Sequence, residues 1–248
     1  MNRRVNGFPA LVFWSAVWYL AARLLDNPLL LPTPVQVLRC LGGMMVTAAF
    51  WQTAAVSILR ILLGVVCAIG LGTVLAVLTA RSRLLHALIA PAMTAMQATP
   101  VASFTILVLI WVNRDYVPVL ICAMMGLPIV WSGVSSGIRE TEIQLLEMAQ
   151  VYHLPKLLVL RRIWIPSAMP FFRTACVSSR GLGWKAGIAA EVLTVPKHSI
   201  GRMISESKLY LLTEELFAWT LAVIVFSLLL QSVLQRLLRR RERHAETD

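Results

Sequence analysis

Long apolar blocks, separated by short polar and mostly basic stretches, run through the chain. A helix that crosses a hydrocarbon core about 30 Å thick needs about 20 such residues. Six blocks of that order can be marked, at about 8–25, 54–80, 89–112, 116–134, 167–193 and 215–235. Asp26-Asn27-Pro28 ends the first, and Leu31-Pro32-Thr33-Pro34 comes next. That stretch cannot be helix interior, because each proline lacks a donor and restricts the residue before it. A short amphipathic helix is expected near 35–46. Pro91 and Pro100 interrupt the third block, and Asn113-Arg114-Asp115 is a tight turn before the fourth. Polar stretches at 137–166 and 194–214 flank the fifth, and 236–248 is a strongly charged tail. The expected fold is all-α: one polytopic membrane domain over 1–248 with six transmembrane helices and no room for a second, soluble domain.

Composition sharpens this. Hydrophobic residues make up 58% and charged residues 14%, against about 45–50% and about 25% in soluble domains. Mean hydropathy is +0.74. These values exclude a disordered chain and argue against a soluble enzyme. The net charge of +11 would suggest nucleic acid in a soluble protein. Here the basic residues cluster at the ends of apolar blocks, so the charge reports membrane topology, and nucleic acid is not an expected partner. With the N-terminus inside, inner segments carry thirteen Lys/Arg, including Arg3 and Arg4, and outer segments five. Both termini are therefore expected in the cytoplasm. Cys40, Cys67, Cys122 and Cys176 show no C-x-x-C spacing, and His86, His153, His198 and His244 are scattered, so no metal site is expected.

The stretch after the fourth block carries a pattern. Ile143, Leu146, Ala149, Val151 and Leu154 recur at roughly helical spacing among Glu140, Glu142 and Glu147. Pro155 ends that helix, and Ile163-Trp164-Ile165-Pro166 leads into the fifth span. Glu147, Ala149, Ile163 and Pro166 stand where the EAA loop of ABC importer permeases has E, the second A, I and P. Met148, His153 and Ile165 replace that loop's A, G and L. Leu31-Pro32-Thr33-Pro34, Ser57-Ile58-Leu59-Arg60 with Gly64, Gln97-Ala98-Thr99-Pro100, and Trp184-Lys185 with Ala189-Ala190-Glu191 resemble further motifs of the same family in the same order. The chain thus resembles the nitrate/sulfonate/taurine/bicarbonate branch of these permeases over roughly 8–237.

The resemblance implies a non-enzymatic transport subunit of a bacterial inner membrane. It implies an ABC ATPase that holds ATP and Mg, an extracytoplasmic substrate-binding protein, and a homodimer of permeases in the lipid bilayer. It also implies ATPase coupling through Glu147, Ala149, His153 and Pro166. The chain itself has no P-loop, because none of Lys156, Lys185, Lys197 and Lys208 follows a glycine.

The fifth block carries Arg173, Arg180, Lys185 and Glu191. A charge at mid-bilayer costs at least about 2.5–3.5 kcal/mol, so such residues face a polar path or a partner. At about 100° per residue, Arg173, Arg180, Trp184 and Glu191 share one stripe. Counting from Ala168, Arg180 lies about 18 Å along the helix, near the midplane. Gly183 and Gly187 form a G-x-x-x-G suited to close helix contact. Gln97, Thr99, Arg180, Trp184, Lys185 and Glu191 are the candidate lining of a path for a small, anionic or polar solute. The alternative is a transporter that needs no ATPase, which would show matched broken helices in its two halves. An intramembrane enzyme is disfavoured, since Glu191 is the single acid well inside the apolar blocks.

Overall fold

A computed structural model describes the backbone of residues 7–245 and the side chains of 9–233. Arg3, Arg4 and the side chains of the charged tail lie outside that range. Across the described residues, eleven α-helices and one π-helical turn succeed one another: α1 Gly7–Leu25, α2 Pro34–Met45, α3 Ala48–Arg81, α4 Arg83–Ala98, α5 Val101–Leu109, α6 Val117–Arg139, α7 Ile143–Val151, α8 Lys156–Val159, a π-turn Leu160–Trp164, α9 Ile165–Thr194, α10 Ile200–Leu209 and α11 Thr213–Ala245.

Local chemistry sets the boundaries. Thr33 starts α2 with a capping box: its backbone N–H donates to the Gln36 side chain at 2.8 Å, while its hydroxyl accepts from the Gln36 N–H. Pro34 at the first turn needs no donor there. The Thr47 and Ser82 hydroxyls cap α3 and α4 more simply, each accepting one N–H, from Phe50 and Leu85. The second predicted span, 54–80, is therefore the later part of a 34-residue helix that starts at Ala48. The third expected span, 89–112 with interruptions at Pro91 and Pro100, is sharply bent. α4 and α5 meet at 105°, because Thr99, held extended before Pro100, cannot continue the helix.

α3, α6 and α9 form the core. Their register can be read from glycines. Gly64 of α3 abuts Val119 and Cys122 of α6, and Gly72 abuts Leu127 and Val130, so these two helices run parallel. Gly126, Gly133 and Gly137 of α6 abut Ser179, Ala175 and Ala168 of α9, so that pair runs antiparallel. At Gly64 a Cβ would stand 2.6 Å from the Val119 carbonyl oxygen; only glycine allows that approach. The expected G-x-x-x-G of α9 serves contacts within the subunit, Gly183 against Cys122 and Gly187 against Ile61.

α3, α6 and residues 213–233 of α11 are long and apolar enough to cross a membrane, and the bent α4–α5 pair adds a fourth apolar segment. α6 is the central one, with 67% of its apolar window buried against 17% for α11. α1 is short, and α9 carries the charges described below. Trp18 ties α1 to the rest, its indole N–H donating to the Pro32 carbonyl at 3.1 Å and its ring stacking on Phe217.

Candidate functional site

The loop between α6 and α9 is built on two buried apolar anchors, Ala149 of α7 and Ile163 in the π-turn. The expected stripe of α7 divides. Ile143 and Val151 are exposed together with Glu147, Met148 and Tyr152, whereas Leu146, Ala149 and Leu154 turn inward. The reason is the helical period: 143, 147 and 151 lie on one face, and 146 and 149 on another. α7 ends in a Schellman motif, in which Leu154 N–H donates to Ala149 C=O at 2.9 Å and His153 N–H to Gln150 C=O at 3.0 Å. His153, where the EAA loop has glycine, takes the glycine conformation with φ 48°. The turn therefore forms without glycine, at a left-handed cost of about 1–2 kcal/mol. Pro155 starts α8 directly, so the approach to the fifth helix is helical from Lys156, earlier than expected. Pro166 stands exposed at the second residue of α9, directly after the π-turn.

At the far end of α9, Glu191 is fully buried, at 0% exposure. Arg60 Nη1 donates to its Oε1 at 2.8 Å. Ser57 Oγ and Gly201 N–H donate to its Oε2 at 2.8 and 3.2 Å. Ser57 in turn accepts the Ile200 N–H at 2.8 Å. Glu191 thus binds α3 to the N-terminus of α10, where the helix dipole favours a carboxylate. Arg60 Nη2 also donates to the Lys197 carbonyl, and Lys197 N–H donates to the Asp115 carboxylate. Val195, the residue that closes α9, sits at φ 47°, a rare conformation for a β-branched side chain.

Halfway along α9 the situation differs. Arg180 is 7% exposed and Trp184 4% exposed. Arg180 Nε, Arg180 Nη1 and Trp184 Nε1 are enclosed, and none has a hydrogen-bond partner among the described residues. Trp184 packs against Ile61, Val65 and Cys122. Lys185 is exposed on the opposite side of the helix. Gln97 is exposed at the α4–α5 bend, and Thr99 is half-buried there, its hydroxyl donating to Ala95 C=O at 2.7 Å. The six candidate path residues are thus divided: Arg180, Trp184 and Glu191 face the subunit interior, Gln97 and Lys185 face outward, and Thr99 is half-buried at the bend.

Two features were missed from sequence. One is the pairing of Glu191 with Ser57 and Arg60, although a single buried acid demands a base. The other is an open groove of about 550 Å³ between α6 and α9. Ser132, Ser136, Thr174 and Ser178 line it beside Phe171. Their i,i+4 spacing, Ser132/Ser136 and Thr174/Ser178, was the available signal.

Residues 68–244 match the family described as the binding-protein-dependent transport system inner membrane component. The chain belongs to that family. It is the permease, not the ATPase, of an ABC importer, and the expected branch agrees with its relatives. The permease is 27% identical over 233 residues to the taurine transport system permease protein of Escherichia coli, covering 90% of this chain and 84% of that protein. It is 25% identical over 221 residues to a putative aliphatic sulfonates transport permease protein of Bacillus subtilis, covering 88% and 78%. In fold it is similar to an amino acid ABC transporter crystallised with histidines, at TM-score 0.61 and 16% identity, over 76% of this chain and 90% of that one. Membership implies a multi-pass membrane location, an ATPase partner and a substrate-binding protein. The ATPase-independent reading falls with it.

Proposed function

We propose that two copies of this permease enclose a path for a small polar or anionic solute, driven by two ATPase chains that dock on α7. The observation that carries this reading is the exposed face of Ile143, Glu147, Met148, Val151 and Tyr152, an apolar surface with one acid, presented on a short helix leading through α8 into α9. Such a helix fits a groove of a partner. The excess of basic residues at that end supports placing it, with both termini, in the cytoplasm. The α10 end is then extracytoplasmic and receives the binding protein. Ser132, Ser136, Thr174, Ser178 and Lys185 supply hydroxyls and one cation on the outward surface of α6 and α9, which suits a polar path between copies. Taurine and sulfonates, named for its relatives, fit that chemistry.

Glu147→Arg reverses the charge at the docking face and leaves the spans untouched. Uptake through the reconstituted importer is expected to fall at least about tenfold while membrane insertion is unchanged. Unchanged uptake would refute the docking role. Cysteines at Ser178 or Lys185 are expected to cross-link two copies in the membrane. Cysteines at Ser179 or Gly183, which pack against Gly126 and Cys122, are expected not to. The reverse pattern would remove α9 from the interface between copies.

A further inference from the structure

We propose that α2 lies flat in the membrane surface at the α10 end, with one face in the lipid leaflet and Arg39 at the lipid phosphates. The helix Pro34–Met45 is about 18 Å long, too short to span. It runs across the bundle rather than along it. Just before α2, the Pro32 carbonyl accepts the Trp18 indole N–H, and the Trp18 ring stacks on Phe217 of α11. Just after α2, Phe50 stacks on Trp219 of α11, with ring centroids 4.9 Å apart. Both ends of α2 therefore meet one turn of a helix that is apolar enough to cross the membrane. A helix laid across the end of a spanning helix lies close to the membrane plane.

At about 100° per residue, α2 divides into three sectors. In the first, Val37 is fully buried, and Leu41 and Met44 pack on the cluster of Phe50, Ile200 and Trp219. In the second, Val35, Leu38, Gly42 and Met45 fall within about 80° of one another and are all exposed. In the third stand Gln36, Arg39 and Gly43, of which Arg39 and Gly43 are exposed. The first sector is covered by protein, and the third suits water. The second is apolar and uncovered, which marks it as a contact surface. A helix sorted in this way fits the line where protein, lipid and water meet.

Its neighbours show what covers the apolar sector. Leu29 and Leu30, before α2, and Leu209, Tyr210 and Leu211, before α11, are exposed as well. The Thr213 hydroxyl donates to the Leu29 carbonyl at 2.8 Å, so these two connections lie side by side. They carry the apolar surface on to the exposed sides of α1 and α11, and only 17% of the apolar window of α11 is buried. The occupant is thus the lipid that surrounds α1 and α11. Loop backbone cannot enter hydrocarbon, so the contact stays at the headgroup boundary, about 5–10 Å deep. Arg39 lies about 40° from Val35, at the border of the apolar sector, where its long stem lets the guanidinium reach a phosphate. Tyr210 and Trp51, both exposed, are the aromatic types that favour this boundary. Only the membrane location enters here, not the pairing of copies or the docking role of α7.

Gly42 and Gly43 supply the test. A Cβ at either meets nothing within 4 Å, so the subunit has room for a label at both. They point about 100° apart, Gly42 in the apolar sector and Gly43 in the polar one. Spin labels are attached to Gly42→Cys and, separately, to Gly43→Cys, with Cys40→Ala and Cys67→Ala removing the two thiols that are not buried. The full-length permease is assembled with its ATPase in nanodiscs of zwitterionic lipid. Relaxation by dissolved oxygen and by a water-soluble nickel chelate is read with and without the substrate-binding protein. At Gly42 the nickel effect is expected to be lost while the oxygen effect remains; at Gly43 the nickel effect is expected to remain. If the two positions behave alike, the three-sector arrangement is overturned. Loss of both effects at Gly42 overturns the lipid contact too. It marks a second copy on this face if it occurs without the binding protein, and the binding protein itself if it needs that addition. Leu38→Cys, in the same sector, gives the same reading where Gly42→Cys fails to assemble.

Discussion

Arg60, half-buried, and Arg180, buried, are two arginines of one helical bundle, and their surroundings are opposite. The Arg60 side chain is 11% exposed, and Arg60 donates to Glu191 and to the Lys197 carbonyl. Arg180 is 7% exposed, and two of its nitrogens meet nothing among the described residues. The difference arises from where each stands. Arg60 reaches the junction of α9 and α10, where the chain leaves the helix and carbonyls are free. Arg180 lies at mid-helix, where every carbonyl is used. A cation at a helix junction can be satisfied by the fold; one at mid-helix must find a side chain or a ligand.

That contrast can be broken by experiment. Arg60→Met leaves Glu191 buried without its cation, and a loss of about 3–5 kcal/mol is expected in the unfolding free energy of the purified permease. A loss below about 1 kcal/mol would mean that the carboxylate is neutral or hydrated, and the clamp would not be ionic. Gly201→Ala acts on the same junction through shape. A Cβ there meets the Glu191 backbone and Cβ, so a cost of about 1–3 kcal/mol is expected from overpacking. Thermal unfolding that matches wild type would show that α10 is not seated on Glu191.

Arg180→Met should have the opposite sign to Arg60→Met. It removes an unpaired charge, and a gain of about 1 kcal/mol is expected. A loss comparable to that of Arg60→Met would show that Arg180 is paired after all. The smallest effect calibrates the scale far from both arginines. His153→Gly relieves the left-handed turn after α7 and should stabilise that turn by about 1 kcal/mol or less. Slower amide exchange at Leu154, whose N–H closes the motif, is the measurement; faster exchange would mean that the histidine ring holds the turn by other contacts.

Much of this was legible in advance. Apolar blocks long enough to span, the amphipathic element at 35–46 and the loop carrying Glu147 and Ala149 all come from periodicity and proline placement, and α2 and α7 appear where expected. The shared face of Arg180, Trp184 and Glu191 also comes from the helical period, and all three are buried. The groups that cover that face were not legible, because Arg60 and Glu191 are 131 residues apart and no local pattern joins them. Pro100 announced a break in the third block. Its consequence, a 105° turn, depends on α5 packing against α6 and α9 through Val108, Ile121 and Ala186, which periodicity does not encode.

The π-turn at Leu160–Trp164 has a consequence for inheritance of the coupling geometry. Each residue added to a helix rotates the segment on its N-terminal side by about 100° relative to the segment on its C-terminal side. A π-turn is a local excess of residues per turn, so it takes up one extra residue between α8, which leads from α7, and α9 with little change in their relative azimuth. Deleting one residue there would let the segment relax to an α-helix. The lost residue and the narrowed turn cancel, so α7 and α9 would keep nearly the same relative aim. In this permease a one-codon deletion at the π-turn would therefore spare the coupling geometry, whereas the same deletion within the α-helical part of α9 would rotate the segments on either side by about 100°.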